Sequence, residues 1–524
     1  MREGHLTRRA LLRSAAAAGA GAAMAPLLTQ IQHHTALAQE VRAGGFLTAA
    51  QEVDPVSLDP HNRSNFSSFQ AFEHIYESLV AYDRNLSIVP SLAESWSTPD
   101  PTTYNFRLRR GVRFHDGGEL VADDVKYSLD RVFDPKTASP WGSIVKPFIE
   151  RIEVVDRNTV RIKLTQPYPP LLGWFAYRRG SGIVKAGSAD KLNFNIQAIG
   201  TGPFALKEYV PDSHVVYQKH REYWQSGIPY LSGFMFKVLT QEEARVAGLQ
   251  ARALEYAFLS QEGADRLKGV AHVDVLKSLR AWVAMLRTNP SRRPWSDVRV
   301  RQALALALDR KALIDKAVGG AAVPSGYIPA GYGDWFTPAD KLPWKRDLDR
   351  SRRLLSEAGF PQGFRTTIKA SPQYPEFIAA AVVIADNLKQ VGVDAQIIQM
   401  EWGQFVRETG VQGGNNYDLA ITAFVFRHDP DGYFRFYYHS KDPNNPGYRN
   451  AKVDELMDKA VTTVNRQERR RFYAEMQQIL YDEVPYIPMY TTYKAEAMQK
   501  YVKGYVPMFS DSREFFKETW LDKR

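Results

Sequence analysis

Cysteine is absent from all 524 residues. That absence excludes disulfides, thiolate-ligated zinc, iron–sulfur clusters, a cysteine nucleophile and a lipid anchor on an N-terminal cysteine. Long hydrophobic runs are missing as well. Outside the N-terminus the longest, residues 377–385, stops at Asp386, well short of the roughly 20 apolar residues of a membrane-spanning helix. There is no Gly-x-Ser-x-Gly elbow, no His-Glu-x-x-His helix and no Gly-x-x-x-x-Gly-Lys loop, and no Gly-x-Gly-x-x-Gly follows a strand-like segment. These gaps weaken an enzyme reading without closing it, because a triad can be assembled from distant positions. Of the 11 histidines, His5, His33 and His34 fall near the N-terminus, and the others include no pair at helical metal-ligand spacing. No metal and no cofactor is expected.

What the chain does contain is an ordinary globular composition, 44% hydrophobic and 24% charged. Its length suits two to four domains at about 150 residues each. The segment Thr7-Arg8-Arg9-Ala10-Leu11-Leu12-Arg13 resembles a twin-arginine export motif. An Ala/Gly stretch over residues 15–25 and the small-x-small site Ala36-Leu37-Ala38 follow. Residues 1–38 are therefore read as a signal peptide, and the mature product as soluble, periplasmic and not lipid-anchored. That segment holds Arg2, Arg8, Arg9 and Arg13 against Glu3, so its removal lowers the formal charge from +10 to about +7. Arginines 469–471 lie on a predicted helix with Glu468 and Glu475 and read as a solvated face. No nucleic-acid partner is expected.

Along the mature chain, residues 104–109 alternate with a period of two. The pairs 153–155 with 159–164, and 204–210 with 214–219, flank short polar turns and read as hairpins. Residues 122–133 form an amphipathic helix with Asp123 and Asp124 at its start. Asp297 caps a further helix that runs on to Gly319-Gly320. A strand at 364–370, a helix at 375–391 and a strand at 394–400 make a βαβ unit with a parallel pair. Asn465 and Glu468 open a long helix in capping-box fashion, and Pro485 and Pro488 lead into an extended segment.

Several blocks in sequence carry a resemblance. They include Ser57-Leu58-Asp59-Pro60-His61, Pro90-Ser91-Leu92-Ala93-Glu94-Ser95-Trp96, and the run from Phe106 to His115-Asp116-Gly117. Gly200-Thr201-Gly202-Pro203-Phe204 and Val300-Arg301-Gln302-Ala303-Leu304 follow. Together they resemble the family-5 extracellular solute-binding proteins, the peptide/nickel-type receptors of ABC importers. The resemblance implies an α/β, two-lobed periplasmic binding protein fold of type II, with a hinge between the lobes. Lobe I would span 39–283 plus 488–524 with a subdomain inserted at about 75–195, and lobe II would span 284–487. The crossings would fall near 286–289 and 487–490. It implies a monomeric receptor, not an enzyme, that closes on a peptide or related small, anionic solute and delivers it to a permease with its ATPase subunits. The alternative is an exported hydrolase or a sensor subunit on the same fold.

In peptide-binding relatives the ligand backbone pairs with short strands of both lobes. The matching positions here include Ser64 and Asn65 in the first lobe and residues 423–428 in the second. Where those relatives place an aspartate that anchors the peptide ammonium, this chain has Arg427. A register shift would put Phe426 there, or let Asp429 serve. Arg427 would favour an anion through paired hydrogen bonds, or be occupied by Asp429 or Asp431. Trp402 and Phe424 are stacking candidates or core. Tyr327, Arg178 and His428 complete the ligand-site set.

Overall fold

A computed structural model describes residues 41–62, 66–332, 335–410, 414–425, 429–442 and 444–523. One large mixed sheet runs through both lobes. Its strands, numbered in chain order, are β1 (Phe46–Gln51), β2 (Phe204–Val210), β3 (His214–Lys219), β4 (Gly233–Val238), β5 (Tyr256–Leu259), β6 (Val273–Leu279) and β7 (Trp282–Thr288). Then come β8 (Ala322–Pro324), β9 (Phe364–Ala370), β10 (Val393–Gln399), β11 (Leu419–Val425) and β12 (Tyr486–Gln499). Among the described residues the order is β10-β9-β11-β7-β12-β5-β1-β4-β3-β2, with β6 and β8 also paired to β12.

Strand β12 is the joint. Residues 493–499 pair with β6 on the lobe I side, and residues 486–490 pair with β7 on the lobe II side. The change of partner falls at Thr491 and Thr492, opposite Arg280 and Ala281, where β6 gives way to β7. Around the expected crossings at 286–289 and 487–490 the two strands run side by side, Leu286 facing Ile487 and Arg287 facing Tyr486. The extended pattern continues unbroken through β12, so nothing in it marks the change of partner.

The main apolar core of lobe II runs from Val283 to Tyr490 around the β9–helix–β10 unit, and a small second cluster gathers Met400, Phe405, Tyr417 and Ala420. Strands β9 and β10 are parallel from Phe364↔Val393 onward, with the helix Pro375–Lys389 between them. The helix read from Asp297 to Gly319 is in fact two, Val298–Ala307 and Arg310–Val318. Asp309 accepts from the Ala312 amide and starts a new helix, because an aspartate cap competes with continuation of the one before it.

Lobe I carries a second, four-stranded antiparallel sheet, ordered Ala93–Asp100, Thr103–Leu108, Thr159–Leu164, Ile149–Asp156. The helices Ala122–Phe133 and Pro170–Tyr177 pack on it through Val125, Leu129, Trp174 and Phe175. Val461 of lobe II is part of this same cluster, so the inserted subdomain and lobe II touch. No helix of the described residues is long and apolar enough to cross a membrane.

Candidate functional site

The seam between the lobes brings Tyr82 and Tyr177 of lobe I against Tyr332 and Asp429 of lobe II. Burial pushes the Tyr332 hydroxyl pKa well above its ordinary value, and the nearby Tyr82, Asp429 and Tyr177 push it the same way. Burial does the same to Tyr82, followed by Asp429 and Tyr177. Tyr177 and Asp429 are buried there, and Tyr82 and Tyr332 half-buried.

One wall of the seam is made by the turn after the helix Pro170–Tyr177. The helix ends on Arg178 in the left-handed region, at φ 61, and Gly180 follows at φ +83, where an added Cβ would stand 2.3 Å from the Trp141 ring. A non-glycine residue at positive φ is held there only when its surroundings demand it. The turn points two neighbouring arginines in opposite directions. Arg178 enters the core of lobe I, where it pairs with Glu514 and donates to the Glu73 carbonyl. It is therefore engaged by the fold.

Arg179 takes the other direction. Its guanidinium lies 5.5 to 5.7 Å from the ring centroids of Phe66, Phe69, Trp141 and Tyr177. Nη1 donates to the Tyr177 hydroxyl at 2.9 Å. Phe69 and Tyr177 stack at 5.8 Å, closing the box. The side chain is only 7% exposed, Nε has no acceptor, and no carboxylate among the described residues pairs with it. The sequence reading chose Arg178 of the Arg-Arg pair, because only the turn geometry tells the two apart.

On the facing wall, Asp429 caps the helix Pro430–Tyr438 by accepting from the Asp431 amide. Its carboxylate also takes two bonds from Arg469, at 2.8 and 3.1 Å. Oδ1 thus accepts two hydrogen bonds and Oδ2 one, and Asp429 is held in place by Arg469. Arg469 is correspondingly buried, so the reading of arginines 469–471 as a solvated face fails for the first of them. Asp431 accepts from Arg435, four residues on, and burial still raises its pKa to about 6.

The remaining expectations divide. Arg427, Phe426, His428, Ser64 and Asn65 lie outside the described residues. Phe424 is core: it stacks on Tyr437 with centroids 3.5 Å apart and meets Tyr433 and Tyr486 edge-on. Tyr327 is wholly buried in lobe II, its hydroxyl within 2.8 and 2.9 Å of the carbonyls of Leu480 and Tyr486. Trp402 is half-buried at the start of the helix Trp402–Thr409, stacked on Phe405 and edge-on to Tyr374. No group of three or more metal-ligating side chains suited to an ion occurs among the described residues.

A family model described as bacterial extracellular solute-binding proteins, family 5 Middle, matches residues 87–445. The glutathione-binding protein GsiB of Salmonella choleraesuis is 29% identical over 466 residues, spanning 86% of this chain and 89% of its own. The ABC transporter-associated periplasmic binding protein DppA from Helicobacter pylori, solved with the peptide STSA, matches at TM-score 0.79 and 26% identity. It spans 92% of this chain and 99% of its own. The binding protein AgaA from A. tumefaciens, solved with agropinic acid, matches with the same four values.

Proposed function

The chain belongs to the bacterial extracellular solute-binding proteins of family 5, and from that premise we propose that it is the exported receptor of an ABC importer for a peptide or related small, anionic solute. The observation that carries the reading is the seam. Two lobes meet along buried aromatic and charged side chains, joined where β12 changes partners. Such a joint lets a ligand select the closed form, provided it binds that form better than the open one. Glutathione, a peptide and agropinic acid, the partners of the relatives above, all carry carboxylates. The permease and its ATPase subunits would receive the closed, loaded protein, which acts as a monomer and turns nothing over.

Glutathione, the dipeptide Met-Leu and agropinic acid are the probes. One that binds at a hundredfold excess over its Kd raises the unfolding free energy by about 2.7 kcal/mol, read as an upward shift in Tm. Steady conversion of a bound probe into product would instead favour the hydrolase reading.

Export rests on residues 1–38, which lie outside the described residues. In this reading the Arg8 and Arg9 pair is the twin-arginine signal. Changing both to lysine should leave the full-length chain in the cytoplasm, detected by fractionation and intact mass. Normal delivery and cleavage of that variant would remove the twin-arginine assignment.

A further inference from the structure

Among the described residues no carboxylate pairs with Arg179. Burying a charge is costly unless it is paired and hydrogen-bonded, and a guanidinium offers five donors in a planar fork. Here one donor is used, on Tyr177. The four surrounding rings offset part of the cost through cation–π attraction, but rings cannot accept the remaining N–H bonds in the way an oxyanion does. Asp429, on the other side of the seam, is itself engaged by two nitrogens of Arg469. Arg179 is therefore a buried positive charge with no carboxylate partner among the described residues, held by the four rings and by the turn at Arg178.

We propose that Arg179, oriented by the Tyr177 hydroxyl and walled by Phe66, Phe69 and Trp141, is the carboxylate-binding group of lobe I and that the solute presents a carboxylate to it. A planar carboxylate matches the fork and accepts two parallel bonds, and the aromatic walls exclude competing water. Because the group belongs to lobe I alone, the carboxylate docks there first, and closure of lobe II then completes the site. The proposal rests on the receptor reading above and adds the anchoring residue and the ligand group it selects.

The test pairs ligand and protein changes. Glutathione, Met-Leu and agropinic acid, each with its carboxylates converted to amides, are titrated calorimetrically into wild type, Arg179→Met and Arg179→Lys. Methionine keeps the apolar volume and removes every donor; lysine keeps the charge and loses the fork. The acid form that binds wild type should weaken by about thirtyfold or more in Arg179→Met, with Arg179→Lys between. Amidation should cost wild type a similar factor and the methionine variant almost nothing. Without ligand, Arg179→Met should melt no lower than wild type, since an uncompensated buried charge has been removed. A purely structural arginine would give a lower Tm and unchanged affinity, and that result overturns the proposal. Equal binding of acid and amide to wild type also overturns it and leaves the receptor reading intact. Failure of every probe, acid and amide alike, to bind at millimolar concentration counts against both.

Discussion

Arg469→Met should lower the unfolding free energy by about 3–5 kcal/mol, the usual cost of removing one partner from a buried ion pair. Arg469 and Asp429 share two short hydrogen bonds, and both side chains are nearly inaccessible, at 7% and 11%. The substitution also frees the Ala460 carbonyl, which Arg469 Nε now holds at 2.8 Å. It removes the guanidinium from the Trp335 and Tyr473 rings it lies over, and what remains is a buried carboxylate that keeps the Asp431 amide. The double variant Asp429→Asn with Arg469→Met should be less damaged than the sum of the single changes, because no charge is then stranded. Urea unfolding of the four proteins measures this. Additive losses would mean that the pair is solvated and that the wall it supports is not rigid.

Glu73→Gln should change how stability depends on pH. Glu73 is buried, accepting from the Ser512 hydroxyl and the Arg513 amide. Burial pushes its pKa up to about 7 from an ordinary 4.5, against the opposing pull of Arg178. A carboxyl with a raised folded pKa binds its proton more tightly in the native state. Its stabilising contribution is then complete below pH 4.5 and is lost as pH rises through about 7. That shift corresponds to roughly 3 kcal/mol. Other groups tilt the curve too: burial lowers His61 and His115 to about 4, which costs stability as pH falls below the ordinary histidine range. The informative quantity is therefore the difference between wild type and Glu73→Gln. It should move in favour of the variant by roughly 3 kcal/mol between pH 4.5 and pH 7.5. A difference that is flat with pH would mean that folding leaves the Glu73 pKa at its unfolded value.

Local patterns were the most legible part of the fold. The hairpin at 204–210 and 214–219, the helix at 122–133 and the β9–helix–β10 unit stand where periodicity and caps place them. These elements are fixed by neighbours in sequence. The point where β12 exchanges β6 for β7 was not legible, because both strands stay extended while their partners change, a tertiary event with no local signature. The site was less legible still. Of the residues read as ligand groups, Tyr327 and Phe424 belong to the core, Asp429 to Arg469, and Arg178 to Glu514. Aromatic or charged character alone does not tell a core contact from a cleft contact. Arg179 escaped notice because its isolation depends on which way one left-handed residue turns the chain.

The central claim is capture by closure, and small-angle scattering tests it most directly. Purified protein lacking residues 1–38 is measured alone and with a saturating amount of whichever of glutathione, Met-Leu or agropinic acid binds most tightly. The account predicts a smaller radius of gyration with the probe bound, and the probe recovered chemically unchanged. Saturated binding with no change in radius, or recovery of a cleaved product, would contradict it.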